Sequence, residues 1–279
     1  MELGKYQVLT CLRKVDFGVY LGNPEEKEDK REEVLLPIKQ VPEGLAVGAQ
    51  IRVFLYKDSQ DRLIATTMCP KITLGQVARL RVAEVGRIGA FLDWGLPKDL
   101  LLPFREQTGE VRKEDEVLVA LYIDKTGRLC ATMKLYPYLQ RAAGIQKDDQ
   151  VTGTVYEISQ NFGAFVAIDD QYSALVPKKE CLGELRVGQK LTARVTGVKA
   201  DGKVDLSVRM KAYEMLEGDG EKLLKMMQAQ GGAFPFTDKA APEHIKDVTG
   251  MSKNEFKRAI GHLLKNGKVE ITASEIRMK

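Results

Sequence analysis

A short pattern, glycine followed by a small residue and an aromatic at the head of an apolar run, occurs three times in this chain and narrows what it can become. It reads Asp16-Phe17-Gly18-Val19-Tyr20-Leu21, then Arg87-Ile88-Gly89-Ala90-Phe91-Leu92, then Asn161-Phe162-Gly163-Ala164-Phe165-Val166. Glycine adopts backbone angles closed to other residues, and the run after it suits a strand, so each copy predicts a tight bend into a β-strand. The residues downstream of each copy repeat as well. An apolar pair with proline comes next (Leu35-Leu36-Pro37, Leu101-Leu102-Pro103, Leu175-Val176-Pro177), then a polar turn, a strand-like run, a second turn and a last alternating strand. The glycines stand 71 and 74 residues apart, beyond the roughly 20–50 residue periods of solenoids. That spacing predicts three independent domains rather than one stacked array.

Five strand candidates per copy, with no helix long enough to cover a sheet, favour small closed barrels whose strand edges are hidden. The copies span 1–73, 74–141 and 142–218, and Leu135 to Gly144 reads as a short helical linker. Pro24 to Glu33 is almost wholly charged and predicts a solvated hairpin loop. Glu217-Gly218-Asp219-Gly220 reads as a break, after which the period becomes helical at Leu223, Leu224, Met226 and Met227. Pro242 to Thr249 predicts a short helix stopped by Gly250. Ser252 with Glu255 forms a capping box ahead of an amphipathic helix carrying Phe256, Ile260, Leu263 and Leu264. Lys268 to Ile271 and Glu275 to Met278 then suit a hairpin. The fold class expected is therefore multidomain: three five-stranded OB-fold barrels followed by an α+β winged-helix domain over 219–279.

Composition excludes more than it selects. At 44% hydrophobic and 29% charged residues the chain is an ordinary globular one. No apolar run reaches the eighteen or so residues of a membrane span, and the first residues lack a signal-peptide core, so a cytoplasmic protein without a membrane partner is expected. Cys11, Cys69, Cys130 and Cys181 are widely spaced and suit buried reduced thiols better than zinc ligands or disulfides. With two histidines, and no phosphate-cradling loop or nucleophile motif, the chain is expected to be no enzyme and to hold neither metal nor cofactor. The net charge of +4 does not establish nucleic-acid binding without clustering on one face.

The repeat resembles the S1 domain, the RNA-binding version of the OB barrel. The similarity lies in Phe162 to Val166, in the apolar pair before each proline, and in the Asp-x-x-x-Arg of Asp58/Arg62 and Asp124/Arg128. Unpaired bases expose flat faces, and Phe17, Tyr20, Phe91, Phe162 and Phe165 are candidate stacking surfaces. Arg62, Arg128 and Lys203, placed on the last strand of each barrel, are candidates to hold phosphates. Each has a plainer reading: the aromatics as core, the cations as solvated charges. Trp94 likewise suits either a base platform or packing on a barrel rim. The chain departs from the S1 pattern at Pro37, Pro103 and Pro177, where the family often has histidine, and at Lys199 and Lys203, which replace the third Asp/Arg pair. Those departures imply modest affinity per barrel and low sequence specificity.

Three S1-like barrels and a winged helix resemble the bacterial conserved virulence factor B family over essentially the whole chain. Leu3-Gly4-Lys5 through Gly18, Ser252-Lys253 and Phe256 to Ile260 are similar as well. The resemblance implies an RNA-binding protein that influences gene expression, with no defined enzymatic activity. Single-stranded RNA is the expected partner. The alternative is a regulator that contacts DNA or another protein through the winged helix, with Lys253, Lys257 and Arg258 on its recognition helix.

Overall fold

The computed structural model describes residues 1–26, 31–141, 143–181, 185–209 and 212–279, and the middle of the charged loop, 27–30, lies outside them. The chain forms two compact units, Met1–Arg209 and Met210–Lys279. In the first unit β1 (Tyr6–Val15), β2 (Gly18–Gly22), β3 (Glu33–Pro37), β4 (Gln50–Lys57) and β5 (Leu63–Thr66) close a barrel in the order β1-β2-β3-β5-β4. The third copy closes in the same order through β11 (Gln150–Ser159), β12 (Gly163–Ile168), β13 (Tyr172–Pro177), β14 (Lys190–Val198) and β15 (Val204–Ser207). The second has β6 (Val77–Val85), β7 (Gly89–Asp93), β8 (Leu100–Pro103), β9 (Glu116–Ile123) and β10 (Leu129–Thr132). Its end strands β8 and β10 lie side by side without completing the ladder.

The repeated glycine is required by crowding. A Cβ on Gly18, Gly89 or Gly163 would lie 2.2 Å from the carbonyl oxygen of Leu36, Leu102 or Val176 on the neighbouring strand. Gly163 also has a φ of +119°, which other residues adopt only under strain.

The three barrels are joined into one unit, where the repeat alone predicts independent domains. Along β4, Val53 and Leu55 fill barrel 1, whereas Phe54 and Tyr56 point out of it into the core of barrel 2. There they meet Trp94 edge-on, at ring-centre distances of 6.0 and 6.3 Å. Trp94 is thereby buried at the seam, donating its indole N–H to the Lys98 carbonyl at 2.6 Å, and of its two readings packing holds. The same device recurs on β9: Val117, Val119 and Leu121 face inward, while Leu118 and Ala120 pack on Leu135, Tyr156 and Ala167 toward barrel 3. Arg79 of β6 closes this second seam with bonds of 2.7 and 2.8 Å to the two carboxylate oxygens of Asp170. On β14 the residues that alternate with the inward Ala193 and Val195 are Thr192, Arg194 and Thr196, so the series of apolar docking faces ends there.

Several local expectations change. Leu135 to Gln140 form one turn rather than a helix, because Pro137 lies within it and Gln140 is drawn into a bridge with Tyr172. Arg62, Arg128 and Lys203 occupy the turns just before the last strands, not the strands themselves. Cys11 and Cys130 are buried and Cys181 is half-buried, but Cys69 is exposed on the connection between barrels 1 and 2. All four thiols are free.

In the second unit α1 (Ala212–Ala229), α2 (Pro242–Thr249) and α3 (Lys253–Lys265) pack with a sheet of β16 (Ala233–Phe234), β17 (Val269–Ile271) and β18 (Ile276–Met278). The capping box forms: Ser252 N–H donates to Glu255 Oε2 at 2.8 Å and Glu255 N–H to Ser252 Oγ at 3.4 Å. The predicted break at Gly218 and Gly220 lies inside α1 instead. A Cβ on Gly220 would stand 3.0 Å from Leu263, so this glycine lets α1 and α3 approach closely.

Gly163→Ala should lower the stability of the first unit by on the order of 1–3 kcal/mol through backbone strain alone. Urea unfolding monitored by circular dichroism reads it as a lower midpoint; a midpoint equal to that of the parent contradicts the crowding described here.

Candidate nucleic-acid interface

In each barrel the first strand carries a β-bulge opposite the aromatic of the repeat. The register slips between Cys11 and Arg13, between Val82 and Glu84, and between Val155 and Glu157, which face Tyr20, Phe91 and Phe165. A bulge re-aims the local side chains and sharpens the twist. In barrel 3 the extra residue is Tyr156. It is buried, with its ring centre 6.1 Å from that of Phe165 and its hydroxyl 3.2 Å from Ser173 Oγ. Phe165 is half-buried against it. Phe162, on the turn before Gly163, is 62% exposed, with its ring centre 6.5 Å from that of Phe165.

These rings line a groove of about 500 Å³ together with Tyr136, Lys199 and Lys203. That volume lies in the range of sites that take a drug-sized ligand, roughly 300–1,000 Å³. Lys199 and Lys203 contact Asp205 and Asp201 at 3.2 and 2.9 Å. Both pairs are solvent-exposed, and such pairs contribute about 0–1 kcal/mol, so a phosphate competes for these lysines at little cost. Tyr136 and Tyr156 were not legible as site residues. Tyr156 sits in a run that reads as an alternating strand, and Tyr136 in a segment that reads as helix.

Barrel 1 presents a different surface. Phe17 is 57% exposed, and Tyr20 lies edge-on to it at 6.4 Å. The Arg13 guanidinium sits 3.7 Å above the Tyr20 ring and is held by Glu33 at 2.7 Å, so one face of Tyr20 is covered. In barrel 2 the half-buried Phe91 lies in a smaller groove of about 270 Å³, walled by Tyr56, Lys57 and Asp61 of barrel 1. Asp61 accepts from Arg128 Nε at 3.1 Å, and that cation is engaged between barrels.

The Asp-x-x-x-Arg motif has a structural role. Asp58 Oδ1 accepts from the amides of Gln60 and Arg62 at 2.9 and 3.0 Å, and Asp58 Oδ2 holds the Arg62 side chain at 2.7 Å. Burial acts to raise the Asp58 carboxyl, but the Arg62 side chain and these amides outweigh it and hold it below the usual range. Asp124 caps the equivalent turn through the amides of Thr126 and Arg128. In barrel 3, where Lys199 replaces the aspartate, Asp201 receives the Lys203 amide at 3.3 Å.

On α3, Lys253 donates to the Ala240 carbonyl at 2.8 Å, and Lys257 lies 3.8 Å from Asp238. Arg258 is exposed and donates to the Asn254 carbonyl at 3.3 Å. Among the described residues no group of three or more His, Cys, Asp or Glu is placed to hold a metal ion, and no helix is long and apolar enough to cross a membrane.

The S1 domain model matches residues 3–68 and 74–134. A model described as Virulence regulatory factor CvfB, second domain, matches 137–210, and one described as CvfB-like winged helix domain matches 221–278. The chain is 33% identical to uncharacterized protein YitL of Bacillus subtilis, covering 96% of this chain and 91% of that protein. It is 31% identical to conserved virulence factor B of Staphylococcus saprophyticus, covering 83% of this chain and 80% of that one. A solved multidomain protein with nucleic acid binding domains from Streptococcus pneumoniae aligns over 99% of this chain and 98% of its own, with a TM-score of 0.51 and 26% identity.

The groove makes a prediction in alkali. Burial pushes the Tyr156 phenol up to about 12, against a lowering by its Ser173 bond. An unfolded tyrosine titrates near 10, so this contribution is complete below about pH 10 and is lost as the pH rises toward 12, an effect of roughly 2–3 kcal/mol. Tyr156→Phe should flatten the fall in unfolding free energy across that window; a profile superposing on that of the parent contradicts the burial.

Proposed function

Because the chain belongs to the conserved virulence factor B family, we propose that it is a cytoplasmic, non-enzymatic protein that binds single-stranded RNA and regulates gene expression after transcription. Nucleic-acid binding in general accords with its two S1 domain matches and with a solved relative described as having nucleic acid binding domains. The finer reading rests on one observation: Phe162 is 62% exposed at the mouth of a groove that also holds Phe165, Lys199 and Lys203. Phenylalanine is ordinarily buried, and apolar surface left open beside cations marks a binding site. A base stacked on such a ring gains about 1–3 kcal/mol, and its phosphate finds the lysines next to it.

Single strands suit this site because only unpaired bases can turn a face toward the ring. Barrel 1 offers Phe17 in the same position. Sites that are weak singly add up when one strand bridges them, since the second contact forms at the high effective concentration set by the first. Contact with DNA or another protein through the second unit is the lesser reading. Lys253 is engaged with the Ala240 carbonyl, which leaves Lys257 and the exposed Arg258 to carry it.

Fluorescence anisotropy with single-stranded RNA at low salt tests the proposal. Phe162→Ala should weaken binding on the order of 5- to 150-fold, and Phe165→Ala should weaken it as well, with folding intact. Unchanged affinity in both folded variants, or preference for duplex DNA that Arg258→Ala abolishes, would reverse it. Incubating the pure protein and RNA with magnesium or manganese should give no cleavage; sustained turnover would refute the non-enzymatic reading.

A further inference from the structure

Barrel 2 has Ile88 where barrels 1 and 3 have Phe17 and Phe162. The turn around it is nonetheless built alike. In each barrel the residue after the strand-ending proline donates its amide to the carbonyl of the turn residue: Ile38 to Phe17 at 2.9 Å, Phe104 to Ile88 at 3.3 Å, Lys178 to Phe162 at 3.0 Å. These bonds make the two residues neighbours at the mouth of the barrel. Barrel 1 pairs Phe17 with Ile38 and barrel 2 pairs Ile88 with Phe104, the same two side-chain types with their places exchanged. All four are open to solvent, at 57%, 54%, 60% and 51% exposure in that order.

Phe104 is half open to solvent and sits outside the core. It joins none of the buried clusters and makes no ring contact among the described residues. Phe91, the aromatic expected to serve barrel 2, is set back. A Cβ on Gly86 would lie 2.9 Å from its ring, and the groove in front of it is walled by Asp61 of barrel 1. Arg87, next to Ile88, is exposed and has no ion-pair partner among the described residues.

We infer that barrel 2 stacks an unpaired nucleobase on Phe104, beside Ile88, with the phosphate drawn to Arg87, and that Phe91 is not its platform. The inference rests on the reading that these barrels stack single-stranded bases. It moves the second contact out of the groove between barrels 1 and 2 and onto the open rim. The exchange of places explains why the Gly-x-aromatic motif of barrel 2, taken alone, shows only half of a stacking pair.

The test uses the full chain and a mixed-sequence single-stranded RNA long enough to reach all three barrels. Phe104→Leu keeps the apolar bulk without the flat face and should weaken binding about fivefold or more; Phe104→Trp should retain it and show indole quenching on titration. Phe91→Leu should change affinity by less than about twofold, and 4-thiouridine crosslinking of the parent should mark Phe104. Parental affinity in Phe104→Leu, or a crosslink at Phe91 in place of Phe104, overturns the inference. If Phe162→Ala still weakens binding in that case, the wider reading stands without it. If Phe162→Ala is also silent, both fail.

Discussion

The carbonyl oxygens of Leu36, Leu102 and Val176 occupy the space that a side chain on Gly18, Gly89 or Gly163 would need. This near-contact between the second and third strands sets the rest of each barrel. Only glycine lets the second and third strands come this close at the bend. The close approach also leaves the residue before the glycine on the outside of the bend, with no interior to enter. Phe17, Ile88 and Phe162 are exposed for that reason, and the candidate binding surface is a by-product of how the barrel closes.

A second constraint orders the barrels. Strands buried on both faces read as unbroken apolar runs, and Val53-Phe54-Leu55-Tyr56 and Val117-Leu118-Val119-Ala120-Leu121 are such runs. One set of alternating residues fills the strand's own barrel, and the other set docks the next. The corresponding strand in barrel 3 alternates with threonine and arginine and offers no such face. The cost of docking falls on barrel 2, whose groove is narrowed by the turn of barrel 1 and whose Arg128 is held by Asp61. Barrel 3 keeps the larger groove, with Tyr136 and Tyr156 in its wall alongside Phe162 and Phe165. The three copies therefore share a fold but differ in what they expose.

Much of this is legible in the residues. The glycine motif, the proline after the apolar pair and the capping box of Ser252 and Glu255 are local signals, and local signals fix turns and helix starts. What escapes is long-range. The two-faced burial of Phe54 and Leu118 is present in the sequence as an unbroken run, but a run does not say which neighbour covers its second face. Gly218 and Gly220 read as a break because glycine disfavours helix, and only the approach of Leu263 shows why one belongs inside α1. Tyr136 is hidden by a segment that scans as helix until Gln140 is seen pairing with Tyr172. The aspartates of the Asp-x-x-x-Arg turns cap their own turns, a role that the spacing alone does not declare.

If Phe162 and Phe165 meet bases face to face, ring-current shifts report it directly. With phenylalanine labelled on its ring, titration of single-stranded RNA should move the Phe162 and Phe165 ring protons upfield, as stacking requires. Shifts confined to lysines and backbone amides, with both rings unmoved at saturation, would contradict base stacking in this groove.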